Sequence, residues 1–376
     1  SGHVRIYQYS NSDMTTGGTW NKIGNNYPGD GSDGEQVGQT GIALNRYGTR
    51  FVAGGPGHDG AGGGAGRIRV YETGYTYTSD STTVTSTANL QIGQDILGLN
   101  STDYFGSECA INADGTIVAG GAKSNAAGNS NSGEVRIFLY NGTQWQQLGQ
   151  SIYGNVNDSN GTRVSCAISD DGYTIVIGYP YNNDNGNNAG IVRVFTYSGG
   201  TWNQKGSSLN GFTYGDYMGE CVGISADGNT VSMGAYGYFT GGLFVYEWDG
   251  SDWNILDDSV NGTDDCTLLN PSSSGGEAFR YACTLNSSGT IVAFSSTSGT
   301  VSGVGSNPGE TFVYSRGLAS EAAPVIPSSI VSSGNYTTSP TYLSSQNVTS
   351  LTLNTSNINS SLAITNDIIT LSLIHI

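Results

Sequence analysis

The sequence predicts an all-β chain, a β-propeller, and three recurring segments carry that expectation. A strand-like anchor recurs along the chain, a Gly-centred hairpin precedes most of its copies, and a short Trp-bearing segment follows most of them. Together they give repeats of about four short strands in 51–68 residues. Four-stranded sheets repeated around an axis make a propeller. A solenoid usually repeats shorter units, and a two-sheet sandwich has no reason to repeat a whole four-strand set.

The anchor reads HVRIYQY (His3–Tyr9), RIRVYET (Arg67–Thr73), EVRIFLY (Glu134–Tyr140) and IVRVFTY (Ile191–Tyr197). It continues more loosely as LFVYEW (Leu243–Trp248) and TFVYSR (Thr311–Arg316). Its Val, Ile, Tyr and Phe alternate as strand residues do. The hairpin reads IALNRYGTRFVAGGP (Ile42–Pro56), CAINADGTIVAGGA (Cys109–Ala122), CAISDDGYTIVIGYP (Cys166–Pro180), VGISADGNTVSMGAY (Val222–Tyr236) and CTLNSSGTIVAFSS (Cys283–Ser296). Each copy sets Gly beside Asp, Ser or Tyr between two alternating runs, a tight-turn signal. The third segment is TWNKIG (Thr19–Gly24), QWQQLG (Gln144–Gly149), TWNQKG (Thr201–Gly206) and DWNILD (Asp252–Asp257), with NLQIG (Asn89–Gly93) as a copy that lacks Trp.

With strands A and B for the hairpin, C for the anchor and D for the Trp segment, the chain opens on C–D. It then runs through four A–B–C–D sets and ends on A–B–C at Arg316. The expectation is about five A–B–C blades plus an opening half-blade, at least six blades with seven fitting equally well, from what reads as a seven-bladed propeller, and with the last blade short of its outer strand.

The net charge is −17, with three lysines, Lys22, Lys123 and Lys205. Such a surface repels phosphate backbones and anionic lipid, so no nucleic-acid partner is expected. No apolar run approaches a membrane span, so no membrane insertion is expected of this segment. The composition suits an extracellular or cell-surface protein. A signal peptide is not observable, because Ser1 lies inside a repeat. Residues 1–316 are read as the propeller and 317–329, with Pro324 and Pro327, as a linker. Residues 330–370, rich in Ser, Thr and Asn, read as the start of a truncated β-domain or a stalk. Residues 371–376, LSLIHI, match the translation of a sequencing adapter as well as they match an apolar strand.

Asp103-Tyr104-Phe105-Gly106, followed by Thr116-Ile117-Val118-Ala119-Gly120-Gly121-Ala122, resembles the FG-GAP repeat of integrin α-chain propellers and related microbial surface proteins. Asp216-Tyr217-Met218-Gly219 with Gly234-Ala235, and Gly178-Tyr179-Pro180, match more loosely. The resemblance covers about residues 2–316. It implies a seven-bladed propeller with a role in cell adhesion or ligand binding. Calcium-binding members carry an Asp-x-Asp-x-Asp-Gly loop between strands A and B. Here that turn is Asn-Ala-Asp-Gly or similar, with too few oxygens for a cation that takes six to eight ligands.

No catalytic residue is assigned. Cys109, Cys166 and Cys283 stand where other copies have Ile42 and Val222, so cysteine replaces a buried apolar residue. His3, His58 and His375 share no metal-ligand spacing and form no Ser–His–Asp arrangement. Converging carboxylates remain the one route to glycosidase chemistry. The repeated Trp20, Trp145, Trp202 and Trp253 fit either sugar-stacking platforms or packing between blades.

The Gly-rich loops after strand B join equivalent strands, so they gather on one face of the disc, where binding loops on a rigid scaffold are found. The ligand-binding residues proposed from them are Asn125, Asn129, Asn182, Asn183, Asp184, Asn185 and Tyr236. No cofactor is expected; Ca²⁺ is the ion that the oxygen-rich stretches holding Asp30, Asp33 and Asp184 would take, and no metal ligand is committed. The resulting expectation is a non-catalytic module that recognises an extracellular protein or glycan through its loop face. A lectin-like or carbohydrate-active propeller is one alternative, and a purely structural segment of a large surface protein is another. Strand-C residues Arg5, Arg69, Arg136 and Arg193 need partners. The acids ahead of strand A (Glu35, Asp103, Asp158, Asp216 and Glu277) or nearby carbonyls are expected to supply them.

Overall fold

The computed structural model describes residues 2–9, 18–29, 34–39, 41–78, 81–84, 90–125, 132–155, 163–235, 237, 242–256, 268–269, 283–296, 310–315 and 350–354. These residues form strands, turns and irregular segments, without helix.

The opening sheet pairs β1 (His3–Tyr9) with β2 (Trp20–Pro28). The second orders β3 (Ile42–Leu44), β4 (Arg50–Gly55) and β5 (Arg67–Glu72), with a ribbon of β6 (Tyr75–Thr78) and β7 (Ser81–Val84) inserted before β8 (Ile96–Leu97). The third contains β9 (Phe105–Ile111), β10 (Ile117–Ala122), β11 (Glu134–Tyr140), β12 (Trp145–Gln147) and β13 (Ile152–Tyr153). The fourth contains β14 (Ser165–Ile168), β15 (Thr174–Tyr179), β16 (Ile191–Ser198), β17 (Thr201–Gln204) and β18 (Leu209–Asn210). The fifth contains β19 (Met218–Ile224), β20 (Thr230–Ala235), β21 (Gly242–Trp248), β22 (Trp253–Ile255) and β23 (Leu268–Leu269). The sixth contains β24 (Cys283–Leu285), β25 (Ile291–Ser296), β26 (Glu310–Ser315) and β27 (Ser350–Asn354).

The chain is therefore a β-propeller of six blades, antiparallel within each blade. The fold class read from the sequence holds; the described residues form six blades, the lower of the two counts expected and one fewer than the resemblance implies. Two features were missed. One is the β6–β7 ribbon, inserted between strands C and D of the second blade, where NLQIG then serves as strand D as expected, with Leu90 and Ile92 bonding to β5. The last blade does have a fourth strand. It comes from Ser350–Asn354, inside the segment assigned above to a separate tail.

Blades join through their inner strands. β9 packs on β3 and β4, β14 on β9, β19 on β14 and β15, and β24 on β19. Apolar clusters fill the gaps: Val52, Ile68, Phe105 and Val118 between the second and third blades, and Ile137, Val164, Ile175 and Ile177 between the third and fourth. Cys109, Cys166, Cys221 and Cys283 are buried in these seams and free, as expected for cysteines used as packing residues. Cys266 lies outside the described residues.

Candidate functional site

The Asp-Tyr-x-Gly segment explains how strand A is launched. Asp103 Oδ2 accepts from the Asn100 amide at 2.9 Å, and Asp216 Oδ2 accepts from the Phe212 and Thr213 amides at 2.8 and 2.7 Å. The next residue takes a left-handed backbone: Gln36 at φ +57°, Tyr104 at +54° and Tyr217 at +53°. That conformation is uncommon for non-glycine residues, and it recurs here at one position of three repeats. Phe105 or Met218 then enters the core. Gly106, at φ +89°, lies against Gly54 of the preceding blade; a Cβ at 106 would sit 3.1 Å from the Gly54 Cα. Gly219 makes the same approach to Gly178.

Strand pairing fixes which loops share a face. Ala122 pairs with both Phe105 and Glu134, and Glu134 pairs with Tyr153. The B–C loops and the D–A loops therefore leave the same edge of the blade. On that edge, residues 57–66 and 181–190 have one backbone design. Asp59 Oδ1 accepts from the Gly64 amide at 2.7 Å, and Asn183 Oδ1 accepts from the Asn188 amide at 2.7 Å. Each loop is then tied to the D–A loop beside it: Tyr104 N to Gly64 O and Phe105 N to Ala65 O in one, Tyr217 N to Asn188 O and Met218 N to Ala189 O in the other.

This bonding redistributes the proposed ligand residues. Asn125 and Asn182 are fully buried, so the assignment of both to ligand contact is corrected. Asn125 Nδ2 donates to Asp103 at 3.1 Å, and Asn182 Oδ1 accepts from the Asp184 amide at 2.8 Å. They hold the loops, because a loop crossing a sheet edge must find partners for its own backbone. Asn183 is half-buried and braces its loop, as above. Asn185 is exposed, and its Nδ2 donates to Gly211 O at 2.7 Å, which bolts the loop to its neighbour. Asp184 faces solvent and stands 3.7 Å from Arg193. Asn129, Tyr236, Asp30 and Asp33 lie outside the described residues.

The sequence reading overlooked apolar side chains on the same edge. Leu97, Leu99, Tyr153, Phe212 and Tyr214 are exposed, Tyr214 at 71%. Beside them, Lys123 sits 4.9 Å over the Tyr104 ring, and Tyr181 meets Tyr217 edge-on at 5.4 Å. The signal was present in the sequence: Phe212 and Tyr214 stand among Gly, Thr and Asp, where a solvated loop has no use for aromatic residues.

The opposite edge is organised differently. The A–B turns of five blades are linked in an arc: Asn45 Nδ2 to Ala113 O (3.0 Å), Ala113 N to Asp170 O (3.1 Å), Asp170 N to Ala226 O (3.0 Å) and Ala226 N to Ser287 O (2.9 Å). Arg46 of the second blade forms an ion pair with Asp170 of the fourth. The turn acids close their own turns, with Asp114 accepting from Thr116 and Asp227 from Asn229.

Between the two faces, Glu108, Arg163 and Glu220 come from three successive blades, with Arg163 Nη1 3.2 Å from Glu220. Burial pushes the Glu108 carboxyl up to about 7; Arg163 opposes the shift and Glu220 adds to it. The Cys221 thiol is pushed up by its hydrogen bond with Cys283 and by burial.

Of the strand-C arginines, Arg136 takes a nearby carbonyl, as expected, whereas Arg69 and Arg193 stand beside Asp95 and Asp184, acids outside the expected set. Asp95 holds Arg69 at 2.8 and 3.0 Å and Arg67 at 2.8 Å. Burial works against the Asp95 charge, yet the bonds from Arg69 and Gln91 keep its carboxyl below the usual range. Arg136 donates to Leu97 O of the preceding blade at 2.8 Å and stacks 4.1 Å over Phe105, with Glu134 at 3.6 Å. Arg5 bonds Asn26 at 3.2 Å in an exposed setting. Glu35 instead pairs with Arg67, while Asp103 and Asp216 cap loops. Asp158 and Glu277 lie outside the described residues.

The repeated tryptophans are packing residues. Trp145, Trp202 and Trp253 are buried, and each Nε1 donates across to the preceding blade, to Ile92 O, Leu148 O and Lys205 O at 2.7–2.8 Å. Gln94 and Gln150 clasp the backbones of Trp145 and Trp202 with paired bonds of 2.8–3.0 Å. Trp20, in the half-blade, is exposed beside Tyr9.

No family model matches the chain, and no curated protein does. Among solved structures, a putative 6-phosphogluconolactonase from Bacteroides uniformis aligns with TM-score 0.50 at 10% identity, covering 84% of this chain and 76% of that one. Hydrazine synthase from Kuenenia stuttgartiensis aligns with TM-score 0.42 at 11% identity, covering 76% of this chain and 64% of the other, less than two thirds of its length. The β-propeller domain of the Trilobed protease from Pyrococcus furiosus aligns with TM-score 0.38 at 9% identity, covering 75% and 70%. At such identities the likeness concerns the fold alone.

Proposed function

We propose that this chain is a recognition module of the FG-GAP-like, integrin α-like type, acting outside the cell or on its surface and binding a protein or glycan through its loop face. One observation carries the reading. Leu97, Leu99, Tyr153, Phe212 and Tyr214 are exposed on the edge where hydrogen-bonded loops converge. Apolar and aromatic side chains held on stiff loops lose little freedom when a partner covers them, which favours binding. The FG-GAP assignment draws support from Gly106 and Gly219, whose close approaches to the preceding blade give that motif a packing role.

The proposal assigns the chain no chemistry of its own. A lectin built on the repeated tryptophans is the poorer reading, because Trp145, Trp202 and Trp253 are buried. A protein and glycan array separates these readings. We expect binding to fall at least about tenfold in the double variant Phe212→Ser, Tyr214→Ser, a loss typical of interface aromatics. Replacement of residues 181–190 by a short Gly-Ser turn should act in the same direction. Unchanged binding in both would overturn the assignment of the face, and turnover of a polysaccharide by the intact chain would replace it with an enzyme.

A further inference from the structure

Strand A of one blade meets strand A of the next in a repeated register. Counted back from the Gly of each A–B turn (Gly48, Gly115, Gly172, Gly228 and Gly289), the sixth residue is Ile42, Cys109, Cys166, Val222 or Cys283. The seventh is Gly41, Glu108, Ser165, Cys221 or Ala282. A Cβ on Gly41 would stand 2.9 Å from Cys109 Sγ, and Glu108 lies beside Cys166. The sixth residue of a blade thus faces the seventh of the blade before it. Ser165 and Val222 hold the two positions at the following seam. Between the fifth and sixth blades both positions carry cysteine, Cys221 and Cys283.

At that seam the main chains touch. A Cβ on Gly223 of β19 would lie 3.1 Å from the Thr284 Cα and 3.4 Å from Cys283 O of β24. Cys283 Sγ turns toward the fifth blade, where it stands 3.7 Å from Ser232 Oγ and 3.9 Å from Ser232 O and shares a hydrogen bond with Cys221. Ser232 pairs with Gly223, which lies two residues from Cys221 and on the same side of the strand. Both thiols are buried in one cluster with Leu243, Leu285 and Phe294. Across a disulfide, each Cβ stands about 3 Å from the far sulfur. The approach of Cys109 to Gly41 shows that this register supplies such a separation with the strands where they are. We propose that Cys221 and Cys283 are an oxidation site, closing a disulfide that locks the fifth blade to the sixth. A small disulfide is the oxidant. One cysteine attacks it and releases a thiol, the other cysteine displaces the remaining half as a second thiol, and two hydrogens pass from the chain to the oxidant. The bond closes a loop of about 60 residues and so restrains the unfolded chain. Cys109 and Cys166 face Gly41 and Glu108 instead and stay reduced. The hydrogen bond and burial hold the Cys221 proton tightly, so the reaction is slow and waits on local opening of the seam.

The folded, intact chain is incubated with oxidised glutathione until its mass is constant. Remaining thiols are alkylated in denaturant, and the peptides are mapped by mass spectrometry. We expect a cross-linked peptide pair holding Cys221 and Cys283, with Cys109 and Cys166 fully alkylated. The oxidised chain should unfold in urea at least about tenfold more slowly than Cys221→Ala treated alike, and a thiol reductant should abolish the difference. Cys283→Val gives the sixth blade the residue that the fifth has at Val222, so it keeps the seam filled and should also abolish the cross-link. Four results would each overturn the proposal. They are alkylation of both cysteines after oxidation, a link from either one to Cys266, a cross-link that forms only after unfolding in urea, and an oxidised chain that unfolds as fast as Cys221→Ala.

Discussion

Glu108 shows how one residue couples the blades to pH. It lies on an inner strand facing Arg163 and Glu220, with the Cys109 and Cys166 thiols beside it. Its carboxyl titrates near 7 in the folded chain, above the ordinary carboxylate range. A raised acid binds its proton more tightly folded than unfolded, so stability is greatest while Glu108 is protonated and falls as pH rises through about 4.5 to 7. Each pH unit of that displacement corresponds to about 1.4 kcal/mol at most. Glu108→Gln should remove this slope and melt higher than the parent at pH 8, while differing little at pH 5. Equilibrium denaturation at the two pH values checks it. Parallel curves for parent and variant would show that Arg163 keeps Glu108 ionised throughout.

At the scale of elements, the D strand acts as a clasp. Gly149 has φ +73°, and a Cβ there would lie 2.9 Å from the Trp202 ring; Gly206 stands in the same relation to Trp253, at 2.8 Å. The Trp-x-x-x-Gly spacing therefore records two jobs. The Trp plugs the preceding blade, and the Gly receives the next blade's Trp. Removing such a ring leaves a cavity and an unpaired carbonyl, so Trp202→Ala should cost about 3–5 kcal/mol in urea unfolding. The glycan-array pattern should stay unchanged at temperatures where the variant is folded. Selective loss of a glycan signal without loss of stability would restore a stacking role for this Trp.

Across the whole molecule, the arc of turn-to-turn bonds makes an unusual demand. Amides in exposed turns ordinarily exchange fast, because nothing but local opening protects them. Here the Ala113, Asp170 and Ala226 amides each donate to the next blade, so their release requires two blades to part. We expect their exchange to resemble that of sheet amides and to slow together. Rapid exchange at all three would mean that the blades move independently at this edge.

The repeat was legible because each blade is a local object. Alternation along RIRVYE and the turn residues of Asn-Ala-Asp-Gly are set by the period of a strand and the backbone needs of a turn, both readable within a few residues. The loop-bearing face followed from strand direction alone. The partners did not. Arg69 turns to Asp95, 26 residues on, instead of an acid before strand A, because long side chains reach whichever carboxylate the D–A connection brings near. Asn125 and Asn182 read as surface ligands in a polar loop, but the loop folds back over them, since its buried amides need acceptors. The strand that completes the last blade, Ser350–Asn354, lies beyond the repeat; its alternating Leu351 and Leu353 mark a strand but not its partner, because pairing with β26 runs through main-chain bonds. The sequence by itself determined strands, turns and their order, because those depend on near neighbours. Pairing across blades, burial of the loop asparagines and the apolar edge were decided by the tertiary structure, because each depends on what a distant segment brings into contact.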